Sequence, residues 1–313
     1  MSELYNVTSS PHIRAKDNTS RIMLYVIIAL LPATVFGIIN FGPRALGIVV
    51  VTIASCVVSE YVYNKIAHKK QTIGDLSCVV TGLLLALNLS HTVPFWMAIF
   101  GGAFAIVVVK MLFGGLGQNF MNPALGARCF LLLAFTGPMT SFTYDGATGA
   151  TPLAIIKGGE LYSDTMAMFT GRIAGTIGET SVICLLIGAV FLILMGVIDL
   201  RIPGTYIVTF AIFIILFGGH LTTGDLGQFL VQEICGGGLI LGAFFMATDY
   251  VTSPITPRGK IIYGIVCGCL LGIFRIFGAS AEGCSYSIIF ANMLVPLIER
   301  FTVPKPFGKG GEK

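Results

Sequence analysis

Charged residues are scarce in this chain of 313 residues. Asp, Glu, Lys and Arg together make up 11% of it, whereas hydrophobic residues make up 55%. A soluble globular domain carries about 25% charged residues, so this chain has less than half of the usual charge. No stretch of about 100 residues lacks apolar runs, which argues against a separate soluble domain. The composition predicts an all-α membrane protein.

The signals of several other protein classes are also missing. The eight cysteines form no Cys-x-x-Cys pair and show no iron–sulfur spacing. The first twenty residues are polar, so we expect no cleaved signal peptide. The four histidines lie in termini or near the ends of apolar runs, which disfavours a transmembrane haem. The chain lacks a dinucleotide-binding fingerprint, and its basic residues are too scattered for nucleic-acid binding.

About ten apolar runs are candidates for membrane spans. With a cytoplasmic N-terminus, 14 of the 19 Lys and Arg residues fall on the inner side, including Lys110. Four fall on the outer side, including Arg275, and Arg128 lies within a span. This bias follows the positive-inside rule and predicts that both chain ends are cytoplasmic. The predicted spans are 22–39, 45–64, 72–90, 95–113, 123–137, 178–198, 204–218, 230–247, 261–277 and 285–300.

Two similar segments predict an internal repeat. Each has a Gly-Leu-rich start, then proline, a cation and an asparagine. The members are Gly82–Ala86, Pro94, Lys110 and Asn122 in the first copy, and Gly238–Gly242, Pro254, Arg275 and Asn292 in the second. The copies are about five spans apart, so they point in opposite directions, although chance similarity remains an alternative. The prediction is two inverted five-helix halves, 1–137 and 178–313, separated by an outer loop, 138–177.

The outer loop contains a segment that suits the start of a short helix. Thr151 precedes a proline, which biases its backbone towards an extended conformation. Pro152 suits the first helical position, and Thr151 then suits the N-cap of a helix through Leu153–Lys157. The N–H groups at such a helix start favour a phosphate. Gly149 and Ala150 leave room for a bulky group, although the residues alone favour the simpler interpretation of an ordinary capped turn.

The chain resembles the RnfD/NqrB family of membrane flavoproteins, whose members belong to Rnf complexes and to sodium-pumping NADH:quinone oxidoreductases. Thr148-Gly149-Ala150-Thr151 matches the flavinylation motif of that family, Ser/Thr-Gly-Ala-Thr/Ser. The short N-terminus and the proline after the motif fit the Rnf branch better. The other matching segments are His12–Arg14, Thr81–Leu87, Gln118–Ala124 and Ala247–Pro254.

The resemblance implies FMN joined through its phosphate to Thr151, with FAD as donor and a separate flavin transferase. The overlapping triplet that ends at Thr148 begins with Asp145, where the family has Ser or Thr, so the attachment is carried over to Thr151. A second, non-covalent flavin such as riboflavin between the halves would fit this family.

The function implied is electron transfer within an ion-translocating ferredoxin:NAD⁺ oxidoreductase of the cytoplasmic membrane. Its partners would be sister membrane subunits, iron–sulfur subunits and an outer flavoprotein subunit. The alternatives are an inverted-repeat transporter or channel for a small solute, or the equivalent subunit of the sodium pump. The flavinylation motif discriminates, because a transporter does not need it. Na⁺ and H⁺ both remain open as the coupling ion.

Glu60, Asp75 and Asp249 are carboxylates that lie in or near apolar runs. Ionisable groups at membrane depth are expensive and often functional, so Glu60 and Asp249 are candidates for an ion path. A structural role is equally open for both. Asp75 sits at the start of a span, where a carboxylate that stabilises the helix N-terminus is the favoured interpretation.

Arg128 is the most isolated charge within a predicted span. It could hold a flavin phosphate or ring carbonyl, or it could pair with a carboxylate, and both interpretations stay open. The glycine runs Gly114–Gly117 and Gly236–Gly238 could cradle a phosphate, but close helix packing is the favoured role of such residues in membranes.

Overall fold

The computed structural model of the chain describes residues 18–144, 147–179, 181–218, 225–278 and 281–304. The His12–Arg14 segment, Asp145, Gly146 and His220 lie outside these ranges. The described residues are mostly helical. In chain order, the helices are α1 (Thr19–Phe41), α2 (Pro43–Ile66), α3 (Ser77–Leu87), α4 (Phe95–Phe104), α5 (Pro123–Ala134), α6 (Thr136–Thr140), α7 (Pro152–Lys157), α8 (Thr165–Thr170), α9 (Val182–Leu194), α10 (Arg201–Phe217), α11 (Leu226–Cys235), α12 (Leu239–Leu241), α13 (Pro257–Ile276) and α14 (Cys284–Thr302).

Five further elements complete the described fold. A 3-10 turn covers Ile73–Asp75 before α3. Helix α4 continues as a π-helical stretch through Ala105–Met111, and α12 continues in the same way through Gly242–Met246. Strands β1 (Thr143–Tyr144) and β2 (Ala147–Thr148) form an antiparallel hairpin in which Thr143 pairs with Thr148.

Helix lengths divide the predicted spans into two groups. By length and composition, α1, α2 and α13 can each cross a membrane alone. Helices α3, α5, α9 and α10, and α4 with its π-helical stretch, are apolar but have only 10–17 residues. A multi-pass membrane protein is therefore established, whereas the count of ten spans stays a prediction.

The predicted span 230–247 is occupied by two helices joined at a bend. Helix α11 ends at Cys235, and α12 leaves at an angle of 57° to it. The break lies at Gly236–Gly238, where Gly237 and Gly238 have φ of 63° and 68°. This left-handed backbone costs other residues free energy but is open to glycine. The pair is either a broken span or a re-entrant segment.

Close helix packing builds the second half of the bundle. Helix α13 lies against α10 through three glycines at four-residue spacing, Gly264, Gly268 and Gly272. A Cβ on Gly268 would meet Thr209 Cβ at 2.7 Å. Small residues at this spacing allow two membrane helices to approach closely. In the first half, α2 packs against α3 and α4. Helix α1 joins the two halves, because it packs against α9 of the second half.

The ends of α3 and α12 show matched geometry. Each helix follows a residue with left-handed backbone, Leu76 (φ 62°, ψ 4°) and Gly238 (φ 68°, ψ 11°). The two asparagines of the repeat are also in contact. When the side-chain amide of Asn292 is flipped, its oxygen accepts a hydrogen bond from the backbone N–H of Asn122 at 3.2 Å. These parallels agree with an inverted repeat, and the division at 137 and 178 stays a prediction.

Candidate functional site

Thr151 lies at the N-cap of α7, which confirms the helix start predicted from the sequence. Its backbone is extended (φ −65°, ψ 153°), and its Oγ1 accepts a hydrogen bond from the Ala154 N–H at 3.3 Å. Pro152 occupies the first helical position and helix α7 ends at Lys157. These features are local consequences of the Thr-Pro pair.

The predicted outer loop is folded onto the helices. Ser90 Oγ and Thr92 Oγ1 donate to the Ser141 carbonyl at 3.3 and 2.8 Å. At the other end of the loop, the side-chain amide of Gln232 in α11 bonds the backbone N–H and C=O of Tyr162. These contacts hold the loop and its motif against the bundle.

Thr151 opens onto a cavity of about 300 Å³, which we call the motif cavity. Exposed Gly149 and Ala150 form part of its rim, and a Cβ on Gly149 would meet nothing within 4 Å. The predicted room beside the motif is therefore present. The other lining residues include Asn88, Arg128, Leu132, Phe142, Leu153 and Glu179. No sequence signal points to Asn88 or Glu179, because neither lies near the motif in the chain.

Arg128 lies between two carboxylates. Its guanidinium is 3.2 Å from Glu179 Oε1 and 2.5 Å from Glu282 Oε1, and it donates to Ser285 Oγ at 2.7 Å. Of the two open interpretations, the carboxylate pairing is the one that the structure shows. Arg128 also lines the motif cavity, so contact with a bound flavin stays a prediction.

A second cavity of about 270 Å³ lies at the opposite end of the helices. Helix α1 spans both ends: Ile22 lines the second cavity, whereas Asn40 donates to the Gly171 carbonyl in the outer loop. Helix α5 likewise runs from Asn122 in the second cavity to Arg128 in the motif cavity. The two cavities therefore face opposite ends of the bundle.

Asp249 lines the second cavity and lies in the turn that follows the π-helical stretch. Its carboxylate accepts from Val251 N at 3.4 Å and from Thr252 Oγ1 at 3.2 Å. Burial raises the pKa of this carboxyl above its ordinary value, and the two hydrogen bonds oppose the rise. The backbone is not helical between Met246, where the π-helical stretch ends, and Pro257, where α13 begins.

Glu60 is fully buried in α2 and pairs with Lys110, with 2.7 Å between Glu60 Oε2 and Lys110 Nζ. Thr72 Oγ1 donates to its other oxygen at 2.6 Å. Asp75 accepts from the backbone N–H of Ser77 at 2.8 Å, which confirms its role at the start of α3.

The structure corrects the charge map at two residues. The map counts Lys110 on the inner side and Arg275 on the outer side, but both are buried within helical segments and are only 2% and 3% exposed. Arg275 pairs with Glu233 at 2.9 Å. Because the inner and the outer side of the count each lose one residue, the excess of cations on the inner side remains.

Within the described residues, no cluster of three or more His, Cys, Asp or Glu side chains could hold a metal ion.

Comparison with known proteins identifies a single family along the chain. The family model described as NQR2, RnfD, RnfE matches residues 6–308. A protein of Acetobacterium woodii, named as the D subunit of a Na(+)-translocating ferredoxin:NAD(+) oxidoreductase complex, is 49% identical, over 98% of this chain and 97% of its own length. A Clostridium ljungdahlii protein, named as the D subunit of a proton-translocating ferredoxin:NAD(+) oxidoreductase complex, is 41% identical, over 97% and 96%. A Methanosarcina acetivorans protein, named as the D subunit of an ion-translocating oxidoreductase complex, is 36% identical, over 97% of each chain.

Proposed function

Because the chain belongs to the NQR2, RnfD, RnfE family, we propose that it is the membrane electron-transfer subunit of an ion-translocating ferredoxin:NAD⁺ oxidoreductase. We further propose that it carries FMN covalently on Thr151. The observation that carries this proposal is the position of Thr151, an accessible N-cap residue at the mouth of the motif cavity.

The residues of the motif cavity suit a flavin. Binding pockets for small molecules begin at about 300 Å³ and are mostly apolar with a few polar groups. Leu132, Phe142 and Leu153 supply apolar walls, and Arg128 supplies a fixed cation. Bound FMN would supply one- and two-electron transfer. Arg128, held by Glu179 and Glu282, would fix the orientation of the ring.

Attachment needs an accessible hydroxyl and a separate enzyme. Thr151 Oγ1 would form a bond to the FMN phosphorus as the pyrophosphate bond of FAD breaks, with AMP as the leaving group and the hydroxyl proton released to solution. The exposed Gly149 and Ala150 leave the approach to Thr151 open. A flavin transferase at the outer face of the cytoplasmic membrane would perform this step.

The second cavity is our candidate for a second, non-covalent flavin such as riboflavin. Apolar side chains line most of it, among them Val80, Leu84 and Phe245. The amide oxygen of Asn119 is buried in the wall and has no hydrogen-bond partner within the described residues, so it could accept from a ligand N–H. Asp249 would serve at this end as an ion-path residue.

In the complete topology, we propose ten spans in two inverted halves, with both chain ends in the cytoplasm. The partners would be the sister membrane subunits, the iron–sulfur subunits and the outer flavoprotein subunit of the complex. A solute transporter is the second candidate, favoured only by the broken helix α11–α12, since broken helices form binding sites in inverted-repeat transporters.

In-gel fluorescence of the denatured protein tests the covalent flavin. Thr151→Ala should abolish the flavin fluorescence and electron transfer through the complex, because the ester oxygen is lost. Thr148→Ala is the matched control and should keep at least part of the fluorescence. Coexpression with and without a flavin transferase should switch the wild-type signal on and off. Fluorescence that persists in Thr151→Ala would exclude Thr151 as the attachment site.

A further inference from the structure

A chain of hydrogen-bonded polar side chains leads from the protein surface into the second cavity. Partly exposed Asp75 accepts from Ser77 Oγ at 2.5 Å, and Ser77 Oγ accepts from Lys110 Nζ at 2.6 Å. Lys110 in turn pairs with Glu60. Ser77 and Lys110 both line the second cavity. The chain is therefore continuous from solvent to a ligand-sized space.

The burial of this ion pair is costly. Lys110 is 2% exposed and Glu60 is fully buried, so both charges have lost nearly all of their hydration. Breaking such a pair by removing one partner costs about 3–5 kcal/mol, but replacing the whole pair by apolar residues is often neutral or stabilising. Stability alone therefore does not explain why ionic groups occupy this place.

A matched pair at the other end of the bundle differs in one chemical property. The pair of Lys110 and Glu60 lies next to the first residue of α3, to which Lys110 donates. The pair of Arg275 and Glu233 lies next to the glycines that precede α12. Arg275 Nη2 donates to the Gly236 and Gly237 carbonyls at 2.8 and 3.2 Å. A buried lysine can give up its proton, whereas an arginine stays charged in proteins. Of these two ion pairs, only the pair at the second cavity contains a cation that can release a proton.

We propose that Lys110 delivers a proton to the second cavity, with Ser77 and Asp75 as the route by which it is refilled from solution. This inference rests on the proposed function, which supplies the electrons and a flavin as acceptor. Reduction places negative charge on the acceptor, and a proton offsets that charge in a low-dielectric site. One Lys110 N–H bond breaks as the bond to the acceptor forms.

To refill the neutral amine, Asp75 first binds a proton from the solution. The Asp75 proton then passes to Ser77 Oγ as the Ser77 hydroxyl proton passes to the amine, so that no alkoxide forms. Glu60 remains a carboxylate and favours the return of charge to Lys110. The other titratable groups in electrostatic range are Cys56 of α2 and Cys78 of α3, and Asp249 lies across the second cavity. Both cysteines are fully buried thiols in the same small apolar cluster.

The test is proton uptake during rapid reduction of the purified complex, followed with a pH-indicator dye and corrected for the protons that the reductant releases. Lys110→Arg keeps the charge and the pairing with Glu60 but removes the releasable proton, so uptake should slow at least tenfold. The matched control, Arg275→Lys at the opposite end, should leave the rate unchanged. Ser77→Ala should also slow uptake, whereas Ser77→Thr, which keeps a hydroxyl, should not.

Thermal unfolding and flavin content of each variant are measured beside the rate. A purely structural ion pair predicts that Lys110→Arg takes up protons within twofold of the wild-type rate, and that result overturns the proposal. A wild-type complex that takes up no proton on reduction overturns it as well. If the denatured wild-type protein shows no in-gel flavin fluorescence, the proposed function is rejected instead. That measurement does not involve Lys110, so the two failures can be distinguished.

Discussion

At the scale of single residues, the described interior is organised by three buried cations and their carboxylates. Lys110, Arg128 and Arg275 are each at most 5% exposed, and each has at least one acidic partner within 3.2 Å. Charges in an apolar interior persist only when paired in this way. Arg128 is the special case, because it has two acidic partners, Glu179 and Glu282.

Asp249 is the acid in the second cavity without a cationic partner among the ion pairs of the described residues. We expect Asp249→Asn to lower ion uptake per electron in vesicles by several-fold, while flavin attachment at Thr151 stays intact. The reason is that the carboxylate, but not the amide, neutralises a cation at this place. The measurement compares ferredoxin-dependent NAD⁺ reduction with ion uptake.

Asp199→Asn is the control for this change, because Asp199 is 37% exposed and pairs with Arg201 and Lys260 at the surface. It should leave the ratio of ions to electrons unchanged. A wild-type ratio in Asp249→Asn would mean that the ion crosses elsewhere. Since burial raises the pKa of Asp249, the carboxylate is lost on acidification at a higher pH than for an exposed aspartate. Ion uptake should fall over that higher pH range.

Local sequence predicts single residues only where their partners are close in the chain. The roles predicted for Thr151 and Asp75 as helix-start residues are confirmed, because a cap contacts residues two or three positions away. The partners of the buried cations are 50 positions away for Lys110 and 154 for Arg128. No pattern in one sequence contains such pairings, so the roles of Glu179, Glu233 and Glu282 emerge only from the structure.

At the scale of elements, the break between α11 and α12 packs against α7, the helix that follows the Thr148–Thr151 motif. A Cβ on Gly237 would collide with the Leu153 side chain of α7 and would lie 2.9 Å from Arg275 Nη2. The broken helix and the packing of α7 at the motif cavity therefore depend on each other through the absence of a side chain at Gly237. Close packing is predictable for this glycine run from the sequence, but the break of the helix is not.

Gly237→Ala tests this dependence. The left-handed backbone alone costs about 1–2 kcal/mol, and the contact with Leu153 adds to it. We expect a melting temperature lower by several degrees and less covalent flavin per protein, because α7 and Thr151 are displaced. Both quantities can be measured on the same preparation by thermal scanning and in-gel fluorescence.

Gly204→Ala in α10 is the matched control, because a Cβ there would meet nothing within 4 Å. It should keep the wild-type flavin content and stabilise the helix slightly, since alanine is the better helix former. Wild-type flavin content in Gly237→Ala would show that α7 is held independently of the break.

At the scale of the whole molecule, the two cavities divide the protein into a motif end and an opposite end. The charge bias assigns the motif end to the outer face. We expect a cysteine at Lys157 to react with a membrane-impermeant reagent added outside, and a cysteine at Lys69 to react only after the membrane is opened. Lys69 is exposed in the turn after α2, so its protection would come from the membrane.

Lys157 is partly buried and donates to the Gly278 carbonyl, so exposed Glu160 offers a second labelling position on the same loop. Wild-type protein gives the background from the native cysteines. Labelling of Lys69→Cys from outside, with protection of both loop positions, would reverse the orientation and remove the outer flavin site.

Composition is enough to predict a helical membrane protein, because a scarcity of charge follows from the solvent. The described helices differ in length more than the predicted spans do. A hydropathy window does not predict this difference, because it cannot distinguish a full span from two short helices joined by a turn. Apolar residues continue through Gly236–Gly238, and only backbone conformation marks the break. The same applies to α3, whose 11 residues lie within a longer apolar run.

The meeting of the two short helices has an electrostatic consequence. Asn88 at the C-terminus of α3 donates to Met246 Sδ, and Asn122 donates to the Met246 carbonyl at 3.3 Å, so the C-terminal ends of α3 and of the α12 segment converge. Each helix end carries about half a negative charge. The N-terminus of α5, which begins after Asn122 at the same place, adds about half a positive charge and offsets one of these two ends. The three helix ends together leave about half a negative charge, so the point where they meet favours a cation weakly, before any ionised side chain is counted.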